Sequence, residues 1–564
     1  MADIGLLRQV DMISTVSGGS IIGALYYLHV KDLLENVPDA TIDDGHYRAI
    51  VKRIENTFLE GVQTNLRARA FAELSSNARM SKRDYSRSDR LGELYDETFY
   101  RPAWNNPLFG EFAPREGGMI RLRELRIVPY GHAGEFDPAR DNGDRRAPVP
   151  VLVLNATTLN TGHNWRFEAV RMGEHPRAES PWLEVDKNAR LKSERWDVMA
   201  SHQQDFELGL AVAASACVPG LFHPLAVSGL FADPGHEPPE RWRIELVDGG
   251  VHDNQGVGAL VDRDCERIII SDASGQMEDV ARPSTRIHAA LGRSSGIYGD
   301  RVREEQLIGA RLSPRPLRLI HLRKGLPART LSPVGPNGGV SLKTDAGAVN
   351  YGPDLGVQEL LSKVRTDLDA FTETEAHSLA LCGYLMSRVE LEEFGGCPVD
   401  PATLEMWAFG SLETMISAPT PEYERQLEIA SGRFFKAAKV SGAGKARLAV
   451  VVVVALVILA AAAMLLHSLG LLRLIGAVLS APLPVWATAL VAGGLVGVLT
   501  ALYLKPKFRV PGARWVADRL YGRVVPLVMA PGLYLAARAI RFMDRAFLKG
   551  GRLETLFAKS PTQT

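Results

Sequence analysis

The sequence predicts an α/β core with a central sheet followed by a helical membrane hairpin, and three observations carry that expectation. An alternating apolar run, Val10 to Val16, meets a helix-like run, Ile21 to Val30, across the turn Ser17-Gly18-Gly19-Ser20. A second apolar strand, Leu246-Val247-Asp248, ends in Gly249 and Gly250. Near the other end of the chain, two long stretches carry no charge at all.

The first element, Val16-Ser17-Gly18-Gly19-Ser20, has the pattern of a serine nucleophile on a strand-to-helix turn. Such a turn pushes the hydroxyl out of the sheet, small neighbours admit a carbonyl, and the helix N-terminus favours developing negative charge. The match to G-x-S-x-G is partial, because Thr15 stands where the first glycine would be. An ordinary Gly-rich turn is the bland alternative. The second element places a carboxylate, Asp248, at a strand end with two glycines after it, where it can reach a neighbouring serine and act as its base. Alone, the same residues read as a turn capped by Asp.

Other blocks lie between and beyond these two. Val151-Leu152-Val153-Leu154-Asn155-Ala156-Thr157-Thr158 reads as a strand, Ala211 to Phe222 as a small-residue helix with a Pro-Gly turn, and Ile268-Ile269-Ile270-Ser271-Asp272 as a further core strand. With Arg365 to Phe371 added, their order and spacing resemble the patatin-like phospholipase family, including its larger bacterial members, over roughly residues 1–390. The resemblance implies a doubly wound α/β core, with Ser17 as nucleophile and Asp248 as base in a Ser-Asp dyad, working through an acyl-enzyme that Asp248-activated water hydrolyses. A triad through His252 or His223 is the rival arrangement, although neither position matches a catalytic residue of that family. The resemblance also implies a glycine-rich oxyanion loop after a first strand, ahead of the serine. Met1 to Leu7 reads instead as the tail of the helix after that loop, so strand and loop are expected to be absent. Losing one oxyanion donor typically costs about 100- to 1000-fold in rate. Either the given start is not the biological one, which the intact order of the other blocks favours, or the enzyme is crippled.

Composition fits a large globular body. Of 564 residues, 46% are apolar and 23% charged, and 65 basic side chains balance 65 acidic ones, so no global field points to nucleic acid. The four cysteines, Cys217, Cys265, Cys382 and Cys397, have neither metal-ligand spacing nor the density of a disulfide framework and read as free thiols. No metal or other cofactor is expected. Asp137 to Asp144 is acidic but lacks the ligand spacing of an EF-hand, and Gly442-Ala443-Gly444-Lys445 fails the phosphate-loop spacing.

Leu448 to Leu466 is an uncharged run long enough, at about 1.5 Å per helical residue, to cross the roughly 30 Å hydrocarbon core. Val485 to Leu504 is a second, with Trp486 and Tyr503 near its ends. A buried soluble hairpin is the alternative, but both segments are apolar all round. Arg433, Lys436, Lys439, Lys445 and Arg447 precede the pair, and Lys505, Lys507, Arg509 and Arg514 follow it. Both outer flanks are therefore expected on the cytoplasmic side, making this a two-span membrane protein with its catalytic body facing the cytosol.

The expected organisation is a catalytic domain at 1–430, with a lid or cap insertion at 31–145, a basic linker at 431–447, the hairpin at 448–504 and a basic amphipathic tail at 505–564. In that tail Arg538, Arg541, Arg545 and Lys549 recur at helical spacing, which suits an anionic lipid surface or a helix packed on the body. A Gly/Pro-rich loop is expected at 325–357, then helices near 357–370 and 373–391. The resulting expectation is a membrane-tethered serine acyl hydrolase acting on a phospholipid or lysophospholipid. A catalytically impaired, membrane-anchored lipid-binding or scaffold protein is the competing class. The residues leave head group, acyl chain and protein partners open.

Overall fold

The computed structural model describes residues 1–80, 84–174, 186–200, 203–235, 237–275, 277–312, 314–335, 338–345, 349–395, 401–432, 436, 439 and 525–557. The chain divides into two compact units. One holds Met1–Ala70, Asp84–Phe434 and Leu548–Thr564, and the other Phe71–Arg83 and Phe435–Phe547.

In the first unit, strand β1 (Met12–Val16) leads through Ser17 into helix α1 (Gly18–Asn36). Helix α2 (Asp44–Val62) opens on a capping box from Asp43, and α3 (Arg87–Tyr95) on another from Ser86. Strands β2 (Val151–Thr158), β3 (Asn164–Phe167), β4 (Arg171–Glu174) and β5 (Glu194–Arg195) follow, then the small-residue helix α4 (Leu208–Ala216). Strands β6 (Leu225–Asp233) and β7 (Glu240–Asp248) complete a seven-stranded sheet in which β5-β4-β3-β2-β7-β6 form one path and β1 joins β2. Residues 208 and 209 and 211–216 of α4 are buried, and its Ala, Val and Gly side chains let it lie close against β2 and β7.

The α/β class and the central sheet are as expected, but the doubly wound arrangement is not. Within the seven-stranded sheet only β1 and β2 run parallel, whereas β2–β3, β3–β4, β4–β5, β2–β7 and β6–β7 are all antiparallel. Strands that follow one another across short turns, as β2 and β3 do, have no room for the crossover of a dozen or more residues that a parallel pair needs. The expected further core strand, β8 (Ile268–Asp272), pairs in parallel with β9 (Leu317–His321) in a separate two-stranded sheet.

Within residues 31–145, expected as a lid or cap, several described residues belong to the core. The segment begins inside α1, where Leu33 and Leu34 are fully buried, and its Leu91, Leu94, Tyr95 and Tyr100 are core residues. Among the described residues of 325–357, β10 (Ala328–Leu331) and β11 (Leu342–Asp345) form an exposed antiparallel ladder. The helix expected over 357–370 is Leu355–Ser362, and the next is Glu373–Gly395. Between them Arg365, itself buried, spends its guanidinium on Asp369 Oδ1 (2.7 Å), Glu375 Oε1 (2.7 Å) and the carbonyls of Ala430 (2.7 Å) and Ala370 (2.8 Å). The Ala370 carbonyl committed to that side chain belongs to an irregular stretch between the two helices. Around it Leu381, Leu385, Trp407, Leu412 and Tyr423 build a second apolar core.

In the second unit the described residues are chiefly those of helix Val525–Gly550, most of which lies there; the helix carries Arg538, Arg541 and Arg545 exposed. Both expected spans, 448–466 and 485–504, lie outside the described residues. Among the described residues no helix is long and apolar enough to cross a membrane. Cys217, Cys265 and Cys382 are free thiols, and Cys397 is outside the described residues.

Candidate active site

Strand β2 brings the two ends of the site together. It carries β1 along its first half, with Val16 opposite Asn155, and β7 along its last residues, with Asp248 opposite Ala156. β1 runs parallel to β2 and β7 antiparallel, so the two strands converge end to end on adjacent residues of one neighbour. Ser17, one residue beyond Val16, and Asp248 are therefore juxtaposed although 231 positions separate them in the chain. Register alone imposes this meeting.

Ser17 has φ +52°, one of three non-glycine residues with positive φ among those described. A strained turn of this kind costs of order 1–3 kcal/mol and must be held by its surroundings. The hold comes from α4: the Ser17 N–H reaches both the carbonyl oxygen (3.1 Å) and Oγ (3.2 Å) of Ser215. Ser20 Oγ donates to Thr15 Oγ1 at 3.0 Å and lies 2.8 Å from Ser215 Oγ, so Ser215 is the donor in that second bond. Thr15 Oγ1 in turn donates to the Val153 carbonyl at 3.3 Å. The proton chain leaves Ser215 Oγ able to accept from Ser17. It also explains the departure at position 15, where Gly23 makes room: a Cβ there would come 2.5 Å from Thr15 Cγ2.

Gly18 and Gly19 are exposed, and a Cβ on either would meet nothing within 4 Å. Their N–H groups open α1 and have no acceptor within the helix, and Gly18 follows the serine, the position that donates to an oxyanion in strand-turn-helix hydrolases.

Asp248 is 4% exposed. Its N–H bonds the Cys217 carbonyl (3.1 Å), its carbonyl accepts from Thr157 Oγ1 (3.0 Å), and its Oδ1 accepts the Gly250 N–H (2.8 Å). Its Oδ2 is buried with no hydrogen-bond partner. Burial lifts the carboxyl from the ordinary 3.8 to about 6, while the nearby Ser17 hydroxyl and the Gly250 N–H pull it back. The serine is thus close enough to act on the carboxyl without a fully formed hydrogen bond, a looseness common in sites without substrate. The two glycines have separate reasons. A Cβ on Gly249 would lie 2.3 Å from the Asn155 carbonyl oxygen, and one on Gly250 2.5 Å from Asn254 Oδ1.

Asn155, fully buried, clamps β1 from β2: its Nδ2 donates to Ser14 Oγ (3.0 Å) and to the Thr15 carbonyl (3.0 Å). Ser14 Oγ passes the link to the Gly256 carbonyl (2.6 Å), beyond the Asp248 turn. The sequence signal for these roles is an amide residue that interrupts the apolar run Val151 to Leu154. Neither His252 nor His223 bonds Asp248, whose Oδ1 is taken by Gly250, so the rival triad does not form. Among the described residues, no three His, Cys, Asp or Glu side chains converge to hold a metal.

Beside the elbow, β1 pairs as a strand only with β2 among the described residues and is only half-buried along its length. Its open edge lines a cleft of about 1950 Å³ that Ile268 to Ser271 of β8 also line.

Residues 3–261 match the family model of patatin-like phospholipases, a span that begins ahead of β1 and ends beyond the Asp248 turn. The chain carries a patatin-like phospholipase domain. No curated protein matches the chain. The patatin-like domain includes Ser17, Asp248, Asn155 and Ser215, and it belongs to a family of lipid acyl hydrolases.

Proposed function

We propose that this protein is a membrane-tethered acyl hydrolase that cleaves a phospholipid or lysophospholipid ester with Ser17 as nucleophile and Asp248 as base. The observation that carries the reading is the convergence of β1 and β7 on Asn155 and Ala156, which sets a strained, exposed serine turn beside a buried carboxylate. In the first step Ser17 gives its proton to Asp248 as Oγ attacks the ester carbonyl. The tetrahedral intermediate collapses, and Asp248 hands that proton to the departing alcohol. Water then gives a proton to Asp248 and attacks the acyl-enzyme, and Ser17 recovers the proton as the fatty acid leaves. The base titrates near 6 and is therefore ionised at neutral pH. The dyad needs no metal, and calcium independence is part of the proposal.

Tethering rests on the two uncharged stretches, 448–466 and 485–504, and on their basic flanks, which favour a cytosolic catalytic body. The exposed Arg538, Arg541, Arg545 and Lys549 support contact of the tail helix with anionic lipid. One observation favours the alternative, a catalytically impaired lipid-binding scaffold: β1 has an open edge beside the elbow. Fatty-acid release from phospholipid by the full chain, compared with Ser17→Ala and Asp248→Ala, tests the choice. Release that both substitutions abolish supports the dyad, and no Ser17-dependent release sinks the hydrolase.

A further inference from the structure

The helix Ile287–Leu312 is held to the body mainly through one of its halves. Toward its C-terminus Ala310 is buried, and Leu307 packs with it against Val257, Ile268 and Ile270. There Gln306 Nε2 donates to the His252 carbonyl (3.0 Å), just past the Asp248 turn, and Arg303 Nη1 donates to Ser274 Oγ (3.3 Å). Toward its N-terminus the packing runs out: among the described residues of 287–299 only Ala289, Arg293 and Gly296 are less than exposed. Ile287, Leu291 and Tyr298 stand along one flank at helical spacing, with Ile287 87% and Tyr298 71% exposed.

The β10–β11 ladder adjoins that exposed half. Arg329 of β10 bonds Asp279 Oδ2 at 2.6 Å, and Arg293 of the helix donates to the Glu278 carbonyl at 3.1 Å, so both elements are fastened to one short segment. Every residue of both strands is exposed, so the ladder projects with neither face covered. Its distal end, Thr330 to Leu342, carries no charge, and Leu331 (77%), Val334 and Val340 (82%) are exposed there. Soluble proteins rarely leave so much large apolar surface together, and such patches mark protein or membrane contacts.

Charge indicates what this surface meets. From Val280 to Gly299 the chain has three arginines, Arg282, Arg286 and Arg293, and no acidic residue, and Arg282 and Arg286 are exposed directly ahead of the helix. Of the acids that border the surface, Asp279 is paired with Arg329, Asp300 with Arg303 (3.1 Å) and Asp345 with Lys343 (2.9 Å). Apolar side chains rimmed by arginines match a bilayer with anionic headgroups over an apolar acyl boundary. The projecting shape agrees, because lipid can close around a ladder exposed on both faces, whereas a folded partner would need a slot for it. Resting for its purpose on the lipid-hydrolase reading, we propose that the N-terminal half of this helix and the β10–β11 ladder form a docking surface through which the catalytic unit itself lies on an anionic phospholipid bilayer. The surface belongs to the unit that holds Ser17 and Asp248, and it is separate in the chain from the uncharged stretches 448–466 and 485–504.

The test places the photo-crosslinking residue p-benzoylphenylalanine at Tyr298, and separately at Leu331, in the full chain carrying Ser17→Ala. Both side chains are exposed, so neither replacement disturbs the core. The protein is illuminated with phosphatidylcholine vesicles that contain or lack phosphatidylglycerol, and lipid adducts are read by mass spectrometry. At limiting lipid both positions should form adducts in about tenfold or greater yield when phosphatidylglycerol is present. Arg282→Gln combined with Arg286→Gln should cut that yield about tenfold or more, since each cation near an anionic surface is worth about fivefold. A position without lipid adducts, yields unmoved by phosphatidylglycerol or by the arginine replacements, or adducts only between two copies of the chain overturn the proposal. Because the Ser17→Ala chain lacks the nucleophile, binding is read apart from hydrolysis. Anionic-lipid adducts in a protein whose parent releases no fatty acid keep the surface and sink the hydrolase reading. Ser17-dependent release without adducts does the reverse.

Discussion

Replacing Asp248 by Asn should stabilise the fold at neutral pH while abolishing hydrolysis. The magnitude follows from the burial of the carboxyl. Its rise from 3.8 to about 6, at about 1.36 kcal/mol per pH unit, corresponds to about 3 kcal/mol. The sign is set by which state holds the proton. Between these two values the native carboxyl stays protonated while that of the unfolded chain has ionised, so the native state binds more protons and stability falls as pH rises. The loss is complete once the native group ionises, just above 6. Asn keeps the shape and the acceptor for the Gly250 N–H but does not titrate. In urea unfolding of the full chain followed by tryptophan fluorescence, Asp248→Asn should match the parent near pH 4 and exceed it by up to about 3 kcal/mol at pH 8. Hydrolysis should fall by about 100- to 10,000-fold, the usual worth of a general base. A variant no more stable than the parent at pH 8 would refute the reasoning, because it would mean that the carboxylate is well solvated or fully paired.

Three further outcomes are expected. The kcat/KM for ester hydrolysis should fall about tenfold per pH unit below about 6 as Asp248 takes up a proton, and a profile flat down to pH 4.5 would exclude it as the base. Gly249→Ala forces the turn about 1 Å away from the Asn155 carbonyl and should lower kcat by about 100-fold, read by single-turnover hydrolysis; full activity would contradict the close approach. Arg365→Met removes a buried cation bonded to both Asp369 and Glu375 and should cost about 3–5 kcal/mol, measured by chemical unfolding, whereas a change below about 1 kcal/mol would show that the network is dispensable.

The two candidate catalytic residues were legible because their chemistry is local. Ser17 lies at a strand-to-helix turn with small neighbours, Asp248 at a strand end before two glycines, and both patterns are written in adjacent residues. The transmembrane expectation is legible for the same reason, since span length and charge bias are properties of continuous sequence. Sheet topology is different. The apolar runs that mark β2 and the end of β7 as strands do not say which neighbours they take, and their antiparallel pairing, with each other and for β2 with β3, departs from the expected doubly wound sheet.

Sequence alone determined the residue types of this site, the glycines that flank them and the long apolar segments, because turns, strand ends and hydropathy are set by neighbours in the chain. Tertiary structure decided that β1 and β7 meet end to end on β2. It also decided that Ser215 holds the strained serine and that Asn155 clamps β1. Those roles depend on register and on burial across distant segments. Burial is also what raises the Asp248 carboxyl, since its cause is the removal of water by residues far away in the chain.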